Sequence, residues 1–139
     1  MKKVSTEIIF NPKNKNSRRR GMLKPIKDVS GNKEFLATLC LICCFIDGLG
    51  NGTKEEYLDN LKQYFPDLCK ELGAIIFYEK YRNGIVHEFS PKKGFGIAEN
   101  YEIRGKYIEE VEIKETKKKI KFLNIERFEK DFEKMLEGI

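Results

Sequence analysis

Apolar residues fall along this chain in blocks whose spacing changes from helical to alternating. From Lys33 to Asp47 the side chains are apolar nearly all round, which predicts a central helix on which others pack. Gly48-Leu49-Gly50-Asn51-Gly52 ends it. Thr53 and Glu56 then stand at capping-box spacing, where hydroxyl and carboxylate satisfy free backbone donors. Tyr57, Leu58, Leu61 and Phe65 give the helix that follows one apolar stripe. Pro66 interrupts the hydrogen-bond ladder but suits a first turn, so a new helix is predicted from Asp67 to Arg82. Its inward residues are expected to be Leu68, Leu72, Ile75 and Ile76, joined by Cys69, with Asn83-Gly84 as its end or a kink.

Outside this stretch the periodicity differs. Val4 to Phe10 is β-branched and apolar enough for a short strand, and Asn11 to Arg20 reads as a polar loop ending at Gly21. Beyond Pro91, Gly94-Phe95-Gly96-Ile97 suggests loop or irregular strand. Partial alternation over Tyr107 to Ile113 and Lys119 to Leu123 predicts a β-hairpin about a Lys114 to Lys118 turn. Ile125, Phe128, Phe132, Met135 and Leu136 then recur at helical spacing, with Glu126 and Lys130 as an i,i+4 pair, so a final amphipathic helix should pack back on the bundle. The expected fold class is mainly α, with a small C-terminal β-hairpin and a last helix.

The length of 139 residues suits one domain with a real hydrophobic core. No apolar run approaches the roughly 18 residues of a membrane span, and the first residues lack a secretory pattern, so a cytoplasmic location without membrane attachment is expected. Three of the four cysteines, Cys40, Cys43 and Cys44, crowd onto the central helix, and Cys69 stands apart. That distribution fits reduced core thiols in a reducing compartment better than a disulfide framework. Cys40 and Cys43 have Cys-x-x-Cys spacing, but they sit mid-helix without a second pair or a histidine at zinc-ligand spacing, and no metal or cofactor is expected.

Charge is distributed unevenly. Residues 1–27 hold nine Lys or Arg and one acid, Glu7, a balance of +8 within a net charge of +5. Residues 1–32 are therefore read as a basic N-terminal arm, including Arg18-Arg19-Arg20, attached to a mildly acidic body. Nucleic acid is a natural partner for such an arm, and a solvated tail is the ordinary alternative.

The one histidine, His87, follows Arg82 in Tyr81-Arg82-Asn83-Gly84-Ile85-Val86-His87-Glu88. Arginine grips phosphate through a fork of donors, and histidine exchanges protons near neutral pH. Arg82-x-x-x-x-His87, with polar Asn83 after the arginine, resembles the Arg-x(4 to 6)-His signature of the HEPN superfamily. The apolar helix, the amphipathic helix and the helix delivering the motif, from about Lys33 to Pro91, fit the same resemblance. It implies a HEPN-like helical bundle over residues 33–139, with the hairpin at about 95–123 as an insertion. It also implies a homodimer that joins the motifs of two protomers in one cleft.

The implied activity is metal-independent RNA cleavage. His87 would move protons, Arg82 would stabilise phosphoryl charge, and Asn83 would orient the histidine or bind phosphate. Tyr81 is a candidate base-stacking residue with a core role as its alternative, and Glu88 could orient His87 or face solvent. Lys92 and Lys93, in Pro91-Lys92-Lys93-Gly94-Phe95, are candidate backbone contacts. Family members often act as toxins or in phage defence, which implies RNA as partner and an antitoxin as a further one. The alternative is a HEPN-like module that binds RNA or a partner, or dimerises, without cleavage.

Spacing along the helix also matters. Five residues correspond to about 500°, so Arg82 and His87 should project about 140° apart on a straight helix. Gly48 to Lys54 looks like a phosphate loop, but Thr53-Lys54 reverses the required order and a helix precedes it. Lys117-Lys118-Lys119 is most simply a solvated turn.

Overall fold

A computed structural model describes residue 11 and residues 13–139. The strand expected over Val4 to Phe10 lies outside the described residues. The chain is mainly helical, with a three-stranded sheet between the fifth and sixth helices.

The first helix replaces the loop expected over Asn11 to Arg20. Lys15–Arg18, a π turn over Arg19–Leu23 and Lys24–Gly31 run on as one helix, α1, residues 15–31. The Asn14 side chain opens it by accepting the backbone N–H groups of Asn16 and Ser17 at 2.9 and 3.1 Å. Met22 and Ile26 enter the core from one face, four residues apart. From residue 15 the basic segment is thus part of the bundle rather than an arm.

Helix α2, Phe35–Leu49, is the predicted central helix and buries Thr38, Leu39, Ile42, Cys43 and Ile46. Helix α3, Lys54–Tyr64, begins at Thr53, whose hydroxyl accepts the Glu56 N–H at 3.3 Å, while the Thr53 N–H donates to Asn51 Oδ1 at 3.2 Å in place of the expected Glu56 carboxylate. Pro66 opens the short α4, Pro66–Glu71. The predicted continuous helix then breaks, because Gly73 takes φ 100°, a conformation that costs residues with a Cβ. The break resets the helical register. Ala74, Phe77 and Tyr81 face the core, while Ile75 and Ile76, expected inward, are 54% and 36% exposed.

Helix α5 spans residues 74–88 as Ala74–Phe77, a π turn over Tyr78–Arg82, and Asn83–Glu88. Asn83-Gly84 neither ends nor breaks it. Strands β1, Phe95–Ala98, β2, Ile108–Glu112, and β3, Lys119–Asn124, form a sheet of order β1-β3-β2. The predicted hairpin is present as antiparallel β2 and β3, with Val111 opposite Ile120. In addition, β1 pairs parallel to β3, with Gly96 opposite Phe122.

Buried Asn124 organises the passage into α6, Ile125–Gly138. Its Oδ1 accepts the Arg127 N–H at 3.2 Å, and its Nδ2 donates to Asn100 Oδ1 and the Lys106 carbonyl at 2.7 and 2.9 Å. All five apolar residues predicted to face inward from α6 do so. Phe128 packs against Phe65 and Phe77 with ring centroids 5.1 Å away in each case, joining α6 and α5 to the junction of α3 and α4. Among the described residues no single helix is long and apolar enough to cross a membrane.

Candidate functional site

The site begins with the π turn on α5. Its hydrogen bond, from the Asn83 N–H to the Tyr78 carbonyl, inserts one extra residue into the turn just before the motif. Beyond it Asn83–Glu88 is regular α-helix, so the rotation of about 140° between Arg82 and His87 persists. Arg82 faces the bundle and His87 is exposed.

Arg82 is held by a residue that the motif does not contain. Asp47, at the end of α2, accepts Arg82 Nε at 3.0 Å and Nη2 at 3.3 Å, and Asn83 Oδ1 accepts Nη1 at 2.9 Å. The ring of Tyr78 lies 4.9 Å from the guanidinium carbon, and that of Tyr57 lies 6.0 Å away. Burial tends to lower the pKa of Arg82, but the bonds and charge of Asp47 outweigh it and raise the net value. The guanidinium has five N–H groups and donates three of them here. The other two, one on each Nη, go to neither Asp47 nor Asn83. With 18% of the Arg82 side chain and 23% of the Asp47 side chain exposed, the pair lies at the rim of the bundle.

Asp47 could have been found from the sequence, because it is the one charged residue in the apolar α2 segment FLATLCLICCFIDGL. A lone carboxylate on such a helix needs a cation. Beneath the pair, the Tyr57 hydroxyl is the one buried side-chain N or O among the described residues without a hydrogen-bond partner, with the thiol of Cys43 as a weak neighbour. Burial pushes the thiols of Cys40, Cys43 and Cys44 up, so none is an activated nucleophile.

The other candidates divide. Tyr81 is fully buried, and its hydroxyl donates to the Gly96 carbonyl at 2.7 Å and, more weakly, to the Lys121 carbonyl at 3.2 Å. It ties α5 to β1 and β3 and offers no face to a base, which corrects the stacking expectation in favour of the core role. Asn83 supports Arg82 rather than reaching His87. Lys92 binds Glu88 at 2.8 Å, which lowers the Glu88 pKa; that carboxylate is engaged there rather than orienting His87. Lys93 is exposed.

Arg18 is also committed within the fold. Its Nε donates to the Leu136 carbonyl at 3.1 Å and its Nη2 to the Ile139 carbonyl at 3.0 Å, at the negative end of α6. It is 6% exposed, so the structure corrects its role as a surface phosphate contact, whereas Arg19 and Arg20 are exposed. The His87 imidazole makes no hydrogen bond to another described residue. Among the described residues no three His, Cys, Asp or Glu side chains cluster as a metal site.

The end of α5 is shaped by backbone packing. Gly84 lies so close to the turn after the helix that an added Cβ would meet the Ser90 carbonyl oxygen at 2.4 Å and the Lys92 nitrogen at 2.8 Å. The same Lys92 N–H donates to the Lys80 carbonyl, within the π turn, at 2.7 Å. These contacts fold the chain back beside the helix and leave His87 on its last exposed turn.

Comparison with protein-family models, with curated proteins and with solved structures finds no match to this chain.

Proposed function

We propose that the chain is a metal-independent endoribonuclease of HEPN type that works as a homodimer. The observation that carries this reading is the contrast between Arg82, fixed by Asp47 and Asn83 with two N–H groups that neither takes, and exposed His87 on the same helix. One helix holds the two groups on different faces, so a second protomer would have to bring the complementary pair. In that composite site the RNA 2′-hydroxyl attacks the adjacent phosphorus and the bond to the 5′-oxygen breaks. One His87 takes the hydroxyl proton, and the partner's copy of that histidine protonates the leaving oxygen. Arg82 from each protomer binds the phosphoryl oxygens as charge builds. The products are a 2′,3′-cyclic phosphate and a 5′-hydroxyl. A role as a toxin or in phage defence, with an antitoxin as partner, belongs to the same proposal through the HEPN resemblance.

Purified protein is expected to cleave RNA in EDTA, to spare a substrate with 2′-deoxyribose at the scissile position, and to lose cleavage in His87→Ala while remaining folded. Unchanged cleavage in that variant would sink the reading. A non-catalytic RNA-binding or partner-binding module is favoured instead by the closure of two Arg82 donors on Asp47. In that case wild type binds RNA without cutting it, and His87→Ala behaves identically.

A further inference from the structure

We infer that Phe89 is the stacking platform for an unpaired base of single-stranded RNA, seated beside His87. This inference rests on RNA being the ligand of the proposed site, and it names the form of RNA. Phe89 closes α5 with φ 57° and ψ 25°, while its N–H reaches back to the carbonyls of Gly84 and Ile85. Glycine is the usual residue for this left-handed cap, because a side chain there is strained. Packing within the protomer does little to offset that strain, since Phe89 is 77% exposed. A bulky ring in a strained backbone conformation, turned to solvent two residues from a candidate catalytic histidine, points to a contact outside the chain.

The surroundings choose the occupant. Residues 79–93 carry Lys80, Arg82, Lys92 and Lys93 against Glu79 and Glu88, and with Arg82 paired to Asp47 and Lys92 to Glu88, exposed Lys93 is a cation near the ring without a carboxylate partner of its own among the described residues. This suits a polyanion. Tyr101 is similarly exposed at 75%, but Glu99 and Glu102 lie close to its hydroxyl, an acidic setting unsuited to RNA. A specific protein partner would bury surface on the order of 800 Å² on each side, more than half of it apolar. Val86, one turn back and 43% exposed, adds little to the single ring. One aromatic face among cations matches one nucleobase, as in single-strand binding grooves. A duplex hides its base faces, so the site selects unpaired RNA.

The chain contains no tryptophan, which makes Phe89→Trp a unique fluorescent reporter. Placed in a His87→Ala background to prevent cleavage, it is titrated with unstructured oligouridylate or oligoadenylate and with an RNA duplex of equal length. Binding is followed independently by anisotropy of labelled RNA. Saturable change of the indole emission with single strands, and none with duplex, is expected. In the same background Phe89→Gly should weaken single-strand binding on the order of tenfold while raising thermal stability through relief of the left-handed cap.

The inference is overturned by silent indole emission at saturation, by equal affinity in Phe89→Gly, or by absence of RNA binding. It is also overturned if Phe89→Gly dissociates a dimer, which would make the ring a protein contact. Stacking without cleavage by the wild-type protein would remove the ribonuclease reading alone. Cleavage with a silent reporter would remove the stacking platform alone.

Discussion

Arg82 and His87 share the final turns of α5, yet one is tied into the bundle and the other meets solvent. Arg82 gives three donors to Asp47 and Asn83 and lies against the Tyr78 ring, whereas the His87 imidazole gives no hydrogen bond to a described residue. The difference follows from helical rotation, and it separates two requirements of a phosphate-cleaving site. A charge that stabilises a phosphoryl group benefits from being fixed before the substrate arrives. A proton carrier needs access to the reacting atoms.

The sharpest way to break this division is to dislodge the turn that follows the helix. Gly84→Ala drives a Cβ into backbone at Ser90 and Lys92, so it should cost about 3 kcal/mol, at the upper end of overpacking, in urea unfolding. A wild-type midpoint would disprove the close approach. Next, Arg82→Ala strips the partner from a half-buried Asp47 and should cost about 2 kcal/mol, while His87→Ala should stay within about 0.5 kcal/mol of wild type. Equal losses in the two would erase the inside–outside contrast.

Tyr81→Phe removes a buried hydroxyl from the Gly96 and Lys121 carbonyls and should cost about 1 kcal/mol without changing RNA affinity. A large loss of affinity would return Tyr81 to the binding surface. The smallest effect is expected far from the motif. Asp131 accepts the Tyr107 hydroxyl at 3.0 Å, and burial is the main cause that raises its pKa. The folded carboxyl therefore prefers its proton: its stabilising share is full below the ordinary value of 3.8 and is lost as pH rises through the raised folded value. Asp131→Asn should gain about 0.5 kcal/mol at pH 7 and nothing near pH 3, as read from thermal melts at both pH values.

Much of the bundle is legible as periodicity. The α2 apolar block, the Thr53 cap of α3, the β2–β3 alternation and the α6 stripe each encode their structure locally, although the carboxylate half of the expected capping box is not formed. Helix α1 is less legible because its charge masks the face formed by Met22 and Ile26, and because buried Arg18 finds its carbonyl partners at the far end of the chain. Ile75 and Ile76 mislead for a different reason. Gly73 resets the register of α5, and no count carried through from Pro66 survives that break. The motif is visible in the sequence, while the partner of its arginine is thirty-five residues away and becomes apparent only when α2 and α5 are brought together. Tyr81 has an ambiguous ring on paper, and only the arrival of β1 and β3 decides that its hydroxyl faces inward.

The contact at Gly84 limits how the motif itself can vary. One residue inserted between Gly84 and His87 would turn the histidine by about 100° around the helix and push the helix end away from the Ser90 to Lys92 turn. An insertion before Gly84 would instead slide a side chain beneath that turn. The four residues between Arg82 and His87 are therefore a measured spacer, whose length is set as much by the loop lying across it as by any reaction at its ends.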